Sequence, residues 1–232
     1  MPAPVLSILM PVFNEAPTVE HAIAVTLAAE LPGSFELIIV DDGSTDGTRQ
    51  ILEHAELPAR VTYLRHTHNQ GKGAAVRTAL AAARGDYSAI LDADLEYDPA
   101  DLANLLKPLL NGRANVVLGV RAFDGYTSHS FLYVLGNKGV TLFANVLFNV
   151  YIRDLMTCHK MMRTDLFRSL PLREPGFAIE AEIVARVLQR GERIYETPVS
   201  YHARPTQDGK KLNWVDGLRV ARTLVRCRLR RD

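Results

Sequence analysis

The first half of the chain alternates short apolar runs with longer stretches patterned at the helical period. Strand-like runs begin at Val5 (VLSILMPV), Phe35 (FELIIVD), Val61 (VTYLRH), Tyr87 (YSAILD) and Asn115 (NVVLGV). Helical patterns lie between them at 18–29, 46–55, 73–84 and 100–110. Such runs suit strands covered on both faces, so the alternation predicts a mostly parallel sheet flanked by helices, an α/β fold. Local punctuation agrees: Pro99 stands at the start of the fourth helix, and Gly33, Gly85 and Gly112 follow helical patterns. The second half is less regular. It holds a long amphipathic helical pattern at 132–150, the short apolar piece KMMR at 160–163, and a helix at 179–189. A strand within RIYETPVSY and a C-terminal helix from Trp214 follow. No internal repeat or low-complexity linker divides the chain, which predicts one domain.

Composition narrows the function classes. With 232 residues, 47% of them hydrophobic, the chain can bury a sizeable core. A net charge of +1 gives no overall footprint for nucleic acid, and none is expected as a partner. Cys158 and Cys227 are far apart and in no metal-ligand spacing, as for two reduced thiols in a cytosolic protein. The opening MPAPVLSILMPVFNEAP lacks the basic stretch of a signal peptide. Asn137, Lys138, Asn145 and Asn149 interrupt the most lipid-like stretch, 131–152, so no transmembrane helix is expected there, while an interfacial one stays open.

In open α/β sheets ligands gather outside the carboxyl ends of the strands, so those ends are where chemistry is sought. ILDADLEYDP places Asp92, Asp94 and Glu96 on alternate residues after an apolar run. Residues two apart on an extended chain share a face, so Asp92 and Asp94 can converge on one point and suit Mg²⁺ or Mn²⁺. A polar strand end turning before Pro99 accounts for the same letters, and Glu96 breaks the Asp-x-Asp-x-Thr pattern of an aspartyl nucleophile. In VDDGSTDGT a tight turn and a helix cap at Ser44, Thr45 or Asp46 explain residues 43–47. They do not explain Asp41, an acid closing an apolar strand, which needs a partner such as a ribose hydroxyl or a base N–H. NQGKGAA sets backbone N–H groups and Lys72 before a helix start, the chemistry that accepts phosphate, without the spacing of a Walker loop. A solvated loop lysine is the alternative.

SILMPVFNE, IIVDDGSTDGT, NQGKGAAVRTAL and YSAILDADLEYDP, in this order and near these spacings, together resemble the family 2 glycosyltransferases of GT-A fold. The later run FAIEAEIVARVLQRGERIYETPVSYHARPTQDGKKLNWVDGLRVARTL is similar to the C-terminal part of the dolichyl- and polyprenyl-phosphate sugar synthases. The resemblance extends from Val5 to about Leu224. It implies a Rossmann-like, mostly parallel sheet with helices on both faces in a single domain, 1–232. Residues 1–120 would bind the nucleotide sugar, 121–212 the acceptor, and 213–232 would form a basic amphipathic helix. It implies donor contacts from Pro11, Phe13, Asn14, Glu15, Asp41, Asp42, Lys72, Asp92, Ala93 and Asp94, with Mg²⁺ or Mn²⁺ on Asp92 and Asp94. Arg121 and Arg204 would grip an acceptor phosphate, extended by Lys210 and Lys211.

The implied reaction is inverting transfer of a sugar from GDP-mannose or a UDP-hexose to a polyprenyl or dolichyl phosphate, with Asp94, Arg121, Glu182 and Arg204 as the catalytic group. A phosphate acceptor is already an anion and needs no base. A glycan or small-molecule hydroxyl needs one, and Glu182 or Glu180 in FAIEAEI is the candidate, although acids at a helix start also follow from the dipole. A non-catalytic nucleotide-sugar-binding protein on the same fold would be marked by loss of the Asp pair or Lys72, and both are present. Nucleotidyl transfer wants a glycine-rich loop after the first strand, where PVFNEAP stands. Among the histidines only His202, beside Arg204, suggests a third metal ligand or a phosphate contact.

WVDGLRVARTLVRCRLRRD puts Leu218, Ala221, Leu224 and Val225 near one helical face and ends in Arg226, Arg228, Arg230 and Arg231. An ordinary surface helix fits these letters; with a lipid acceptor they read instead as a peripheral element on the cytoplasmic, inner face of a membrane. A second copy of the chain or a membrane protein could use the same surface.

Overall fold

The computed structural model describes residues 3–121, 131–203 and 214–230. Its strands are β1 (Leu6–Val12), β2 (Phe35–Asp41), β3 (Val61–Arg65), β4 (Tyr87–Ile90), β5 (Val116–Arg121), β6 (Lys160–Arg163) and β7 (Ile194–Val199). Helices α1 (Val19–Ala28), α2 (Thr48–His54), α3 (Lys72–Ala82) and α4 (Leu102–Leu110) connect the first five strands. Then come α5 (Phe131–Phe148), α6 (Thr164–Ser169), α7 (Ile179–Gln189) and α8 (Trp214–Leu229).

Every residue of β1 and β2 is buried, which is why both read as unbroken apolar runs rather than as alternating ones. The strands form one sheet in the order β3-β2-β1-β4-β6-β5-β7. All pairings are parallel except those of β6, which runs antiparallel to both β4 and β5. This is the mostly parallel α/β sheet that the sequence predicts. KMMR turns out to be a central strand: four residues are too few to show a period, so neither its pairing nor the α6 that follows was legible. From β1 the chain moves outward through β2 and β3, whereas β4 pairs on the other side of β1. The loops leaving β1 and β4 therefore part at a topological switch point, the usual place for a ligand crevice.

A large apolar cluster surrounds β1, β2 and β4, and a smaller one joins Leu118 of β5 to α5, α7 and α8 through Ala144, Ala181, Val184, Val220 and Leu224. α8 is thus built into the domain. Its buried side is Val220, Leu224 and Cys227, while Leu218 and Val225 face out, so the single apolar face expected from the sequence is corrected to two apolar sides. Both cysteines are buried and free. Among the described residues no helix is long and apolar enough to cross a membrane.

One expectation fails at the end of β5. Arg121 is buried, and its guanidinium forms a fork with Asp154, Nε to Oδ2 and Nη2 to Oδ1, both at 2.7 Å. The Arg121 backbone N–H and Asn137 Nδ2 also donate to this carboxylate, and the Tyr201 ring lies 5.1 Å from the guanidinium. A bidentate pair of this kind commits the guanidinium's charge. Arg121 therefore ties β5 to the 153–155 segment and to α5 instead of presenting an open grip for an acceptor phosphate. Burial alone would raise the Asp154 pKa, but the hydrogen bonds and charge of Arg121 hold it below the usual carboxylate range.

Replacing Asp154 by Asn should lower the unfolding free energy by about 3–5 kcal/mol, because a buried guanidinium then loses its counter-charge. Urea unfolding would show an earlier midpoint, and the double change Arg121→Met with Asp154→Leu should cost less than the single one. A second expectation concerns His159, fully buried against Tyr97 at 4.5 Å between ring centroids, where burial pushes its pKa down from 6.5 to about 4. Between those two pH values the unfolded chain binds the proton that the folded one refuses. Stability should then fall by about 1.4 kcal/mol per pH unit on acidification through that window, and His159→Phe should remove this share of the slope.

Candidate active site

The loops after β1 and β2 are fastened to each other. Asn14 N–H donates to Ser44 Oγ and Thr45 N–H to Asn14 Oδ1; Glu15 N–H reaches Thr48 Oγ1 and Ala16 N–H reaches Asp46 Oδ2, all within 2.8–3.1 Å. Asn14 takes a left-handed φ of 55°, which asparagine tolerates better than most residues. Burial alone would raise the Asp46 pKa, but its hydrogen bonds from Thr48 and Ala16 bring it below the usual value. Pro11 is buried in β1, Phe13 is half-buried at its exit, and Glu15 accepts from Thr18 Oγ1 at 3.0 Å at the start of α1. These residues follow one another along the end of β1 and the start of α1.

Asp41 and Asp42 are completely or almost completely buried, and the chain itself supplies their partners. Asp41 accepts from Ser44 N–H at 2.8 Å and from Arg49 Nε at 3.2 Å. Asp42 is bonded to His66 Nδ1 at 2.6 Å and accepts from the N–H groups of Gln70 and Gly71 at 2.9 and 2.7 Å. The partner that Asp41 was expected to need from a nucleoside is thus met internally. Both acids shape the crevice, with Asp42 pinning the 66–71 loop beside the start of α3. Gly43, at φ 73°, lies so close to the His68 backbone that a Cβ could not fit.

That loop ends at Lys72. Its Nζ sits 2.6 Å from Asp92 Oδ2 and 2.7 Å from Glu180 Oε1, and Glu180 Oε2 is 2.6 Å from Lys160 Nζ. Four side chains, from α3, α7, β6 and the loop after β4, therefore alternate in sign: Asp92, Lys72, Glu180, Lys160. Burial opposes the charge on Lys72, but Asp92 and Glu180 outweigh it and keep its pKa well above the ordinary lysine value. Next to Asp92, Ala93 is buried and the Asp94 carboxylate accepts from Glu96 N–H at 3.1 Å. Leu95 between them is held at φ 60°, a strained setting for a leucine of the kind that clusters at functional sites.

Glu96 is a contributor that the sequence marked only as a third acid. Its Oε2 accepts from Tyr201 Oη at 2.9 Å and its carbonyl from His202 N–H at 2.8 Å, so it draws the chain beyond β7 against the loop of Asp92 and Asp94. His202 is exposed there, and among the described residues no three His, Cys, Asp or Glu side chains converge as a metal site, so its expected role as third ligand is not realised. The protein offers the oxygen pair of Asp92 and Asp94, a donor set suited to Mg²⁺ or Mn²⁺ completed by substrate oxygens and water. A cation already stands on Asp92, in the form of the Lys72 ammonium.

Glu182 requires a correction. It is fully buried on the side of α7 away from this chain of charges, where Oε2 accepts from the N–H groups of Arg173 and Glu174 at 2.8 and 2.7 Å. Its Oε1 takes Arg226 Nη2 at 3.1 Å, and Arg226 is also paired with Glu174 at 2.7 Å. With its acceptors engaged away from the crevice, Glu182 is no base for a substrate; Glu180 is the acid of FAIEAEI that enters the site. Arg226 is correspondingly withdrawn from the basic outer surface expected of α8. Arg204, Lys210 and Lys211, expected at the acceptor phosphate, and the terminal Arg231 lie outside the described residues.

Residues 7–170 match the model of the family described as Glycosyl transferase family 2. Glycosyltransferase AglJ of Haloferax volcanii is 30% identical over 216 residues, covering 92% of this chain and 68% of that protein. Dodecaprenyl-phosphate galacturonate synthase of Rhizobium johnstonii is 30% identical over 207 residues, covering 86% of this chain and 59% of that one. The chain thus spans only part of the length of these two relatives. Among solved structures, glucosyl-3-phosphoglycerate synthase of Mycobacterium tuberculosis in complex with Mn²⁺, UDP and phosphoglyceric acid superposes with a TM-score of 0.75 at 21% identity, over 99% of this chain and 80% of that one. That likeness is one of fold. With a family match covering most of its length and an acidic pair at the switch point of a GT-A sheet, the chain belongs to the family 2 glycosyltransferases.

Proposed function

We propose that the chain transfers a hexose, with inversion, from a nucleoside-diphosphate sugar such as GDP-mannose or a UDP-hexose to a polyprenyl or dolichyl phosphate. The observation that carries this reading is the pair Asp92 and Asp94 at the carboxyl end of β4, with a buried cation already held on Asp92. Mg²⁺ or Mn²⁺ bound there would neutralise the charge that grows on the departing nucleoside diphosphate. The loops of Asn14 and of residues 44–48, fastened together, form the wall for the nucleoside, and Lys72 adds positive charge near the diphosphate. The acceptor oxygen attacks C1 from the face opposite the diphosphate, and the electron pair of the breaking C1–O bond leaves with the diphosphate.

A phosphate acceptor needs no base, and the engagement of both glutamates supports it. Glu182 is bonded away from the crevice and Glu180 has its two oxygens on Lys72 and Lys160. The relative that makes a dodecaprenyl-phosphate sugar points the same way. In this scheme residues 1–120 hold the donor and 121–212 the acceptor, whose phosphate would be met by Arg204, Lys210 and Lys211.

A lipid acceptor requires a membrane surface, and we assign the enzyme to the periphery of the inner, cytoplasmic leaflet. α5 and α8 pack together, with Arg228 Nε donating to the Leu147 carbonyl at 3.1 Å. Both leave large apolar side chains outside: Leu142 is 64% and Val146 76% exposed on α5, as are Leu218 and Leu229 on α8. Arg219, Arg222, Arg228 and Arg230 are exposed beside them. Apolar side chains rimmed by arginine suit an anionic leaflet, each cation contributing about 1 kcal/mol near the surface.

Calorimetric titration with GDP-mannose, UDP-glucose and UDP-N-acetylhexosamines, in Mn²⁺ or in EDTA, should find one donor whose binding needs the metal and is lost in Asp94→Ala. A folded protein that binds none of them would remove the transferase reading. Vesicles containing anionic phospholipid should retain the wild-type chain and release the double variant Leu142→Glu, Val146→Glu, and added salt should weaken retention of the wild type. Equal retention of both proteins would refute the membrane assignment.

A further inference from the structure

The backbone on either side of Lys72 has little freedom. A Cβ on Gly71 would strike the Pro175 carbonyl and one on Gly73 the Glu174 carbonyl, while Ala74 N–H donates to Pro175 O at 3.1 Å and Arg77 Nη1 to Glu174 O at 2.7 Å. The strap 173–176 is in turn fixed by Glu182, Arg226 and Thr223. The Lys72 side chain can therefore change partner while its Cα stays in place. Its two present partners are Asp92 and Glu180. Glu180 already has a second cation in Lys160, which also donates to the Thr157 carbonyl, whereas among the described residues Asp92 is paired with Lys72 alone.

We propose that the Lys72 ammonium is a resident cation in the metal's place on Asp92, and that it makes binding of a divalent cation conditional on the nucleoside diphosphate. This rests on the reading of Asp92 and Asp94 as the metal-binding pair. A divalent ion arriving alone would meet the ammonium on the same carboxylate, in a partly buried setting where like charges repel more than they do in open water. A diphosphate arriving with it brings compensating negative charge and gives Lys72 an oxygen acceptor in exchange for Asp92. Cation and nucleotide then favour each other's binding, and by linkage the coupling is the same in both directions. The device would keep the site closed to free divalent ions and open it to the metal–nucleotide pair.

The test is titration of the full chain with MnCl₂, alone and in saturating UDP or GDP. Wild type should take Mn²⁺ weakly by itself and at least roughly tenfold more tightly with the cognate diphosphate. Lys72→Met, which keeps the length of the side chain and removes its charge, should bind Mn²⁺ alone at least roughly tenfold more tightly than wild type and gain less from the nucleotide. Mn²⁺ should also raise the thermal midpoint of this variant more than that of wild type. Lys72→Gln and Lys72→Ala serve as further neutral variants should the first not fold, and a wild type that binds Mn²⁺ alone as tightly as with a bound diphosphate overturns the proposal by itself. Equal affinity for Mn²⁺ alone in wild type and variants, or no gain on adding a diphosphate that itself binds, would overturn the resident-cation proposal and leave the transferase reading standing. Absence of Mn²⁺ binding with every diphosphate would sink both.

Discussion

Everything at the crevice depends on the pairing of four charges, of which Glu180 and Lys160 are buried and Lys72 and Asp92 partly so. Asp92 lies just beyond β4, Lys72 opens α3, Glu180 belongs to the first turn of α7, and Lys160 begins β6. Taking such ions out of water costs several kcal/mol each, and attraction between neighbours offsets this only while the geometry is kept. The four elements consequently cannot shift independently. The antiparallel insertion of β6 makes the arrangement possible. In the β4–β6 register Ala89 stands opposite Met161, so Lys160 is level with the last residue of β4, at the carboxyl ends of the parallel strands. A parallel strand in that place would have carried its first residue to the far end of the sheet.

The same logic reaches the C-terminal helix. Arg226 of α8 bridges Glu174 and Glu182, Glu182 holds the backbone of Arg173 and Glu174, and the next carbonyls press on Gly71 and Gly73 around Lys72. Glycine is demanded at these two positions by proximity, since any side chain would meet backbone oxygen. A helix that reads as a detachable basic tail is thus one end of a continuous packed path to Lys72 and the acids beyond β4. Its outward apolar residues and remaining arginines stay available to another surface.

The α/β class, the first five strands and the helices between them were legible because each run is long enough for its period to show, and because parallel strands buried on both faces need continuous apolar sequence. KMMR was legible only as an apolar fragment: what makes it a central strand is its pairing with residues more than forty positions away in β5 and more than seventy in β4, which no local pattern records. The acids of the crevice were found because strand ends were read for chemistry. Lys160 was not, since a lone lysine before an apolar piece carries no sign that the fold will bury it completely beside Glu180. Arg121 and Asp154 form a pair across 33 residues that their letters do not disclose. Glu180 and Glu182 are a different case. At about 100° per residue they point some 200° apart on α7, so the helix had to turn one of them away from the crevice, and only the position of the strap decided which.

What separates an acid that builds this site from one that meets a ligand is the kind of donor aimed at it. Asp42 and Glu182 each receive two backbone N–H groups, and Asp41 receives one together with an arginine. Those donors belong to the folded backbone, and withdrawing them would leave buried amides unsatisfied, at about 1–3 kcal/mol for each group. Asp92 is held instead by the tip of a flexible lysine, which can leave without disturbing any backbone hydrogen bond. An incoming cation can therefore displace the partner of Asp92 at modest cost, whereas no ligand could take Asp42 or Glu182 without dismantling the loop it holds. The carboxylate with the exchangeable partner is the one a ligand can reach without unmaking the fold.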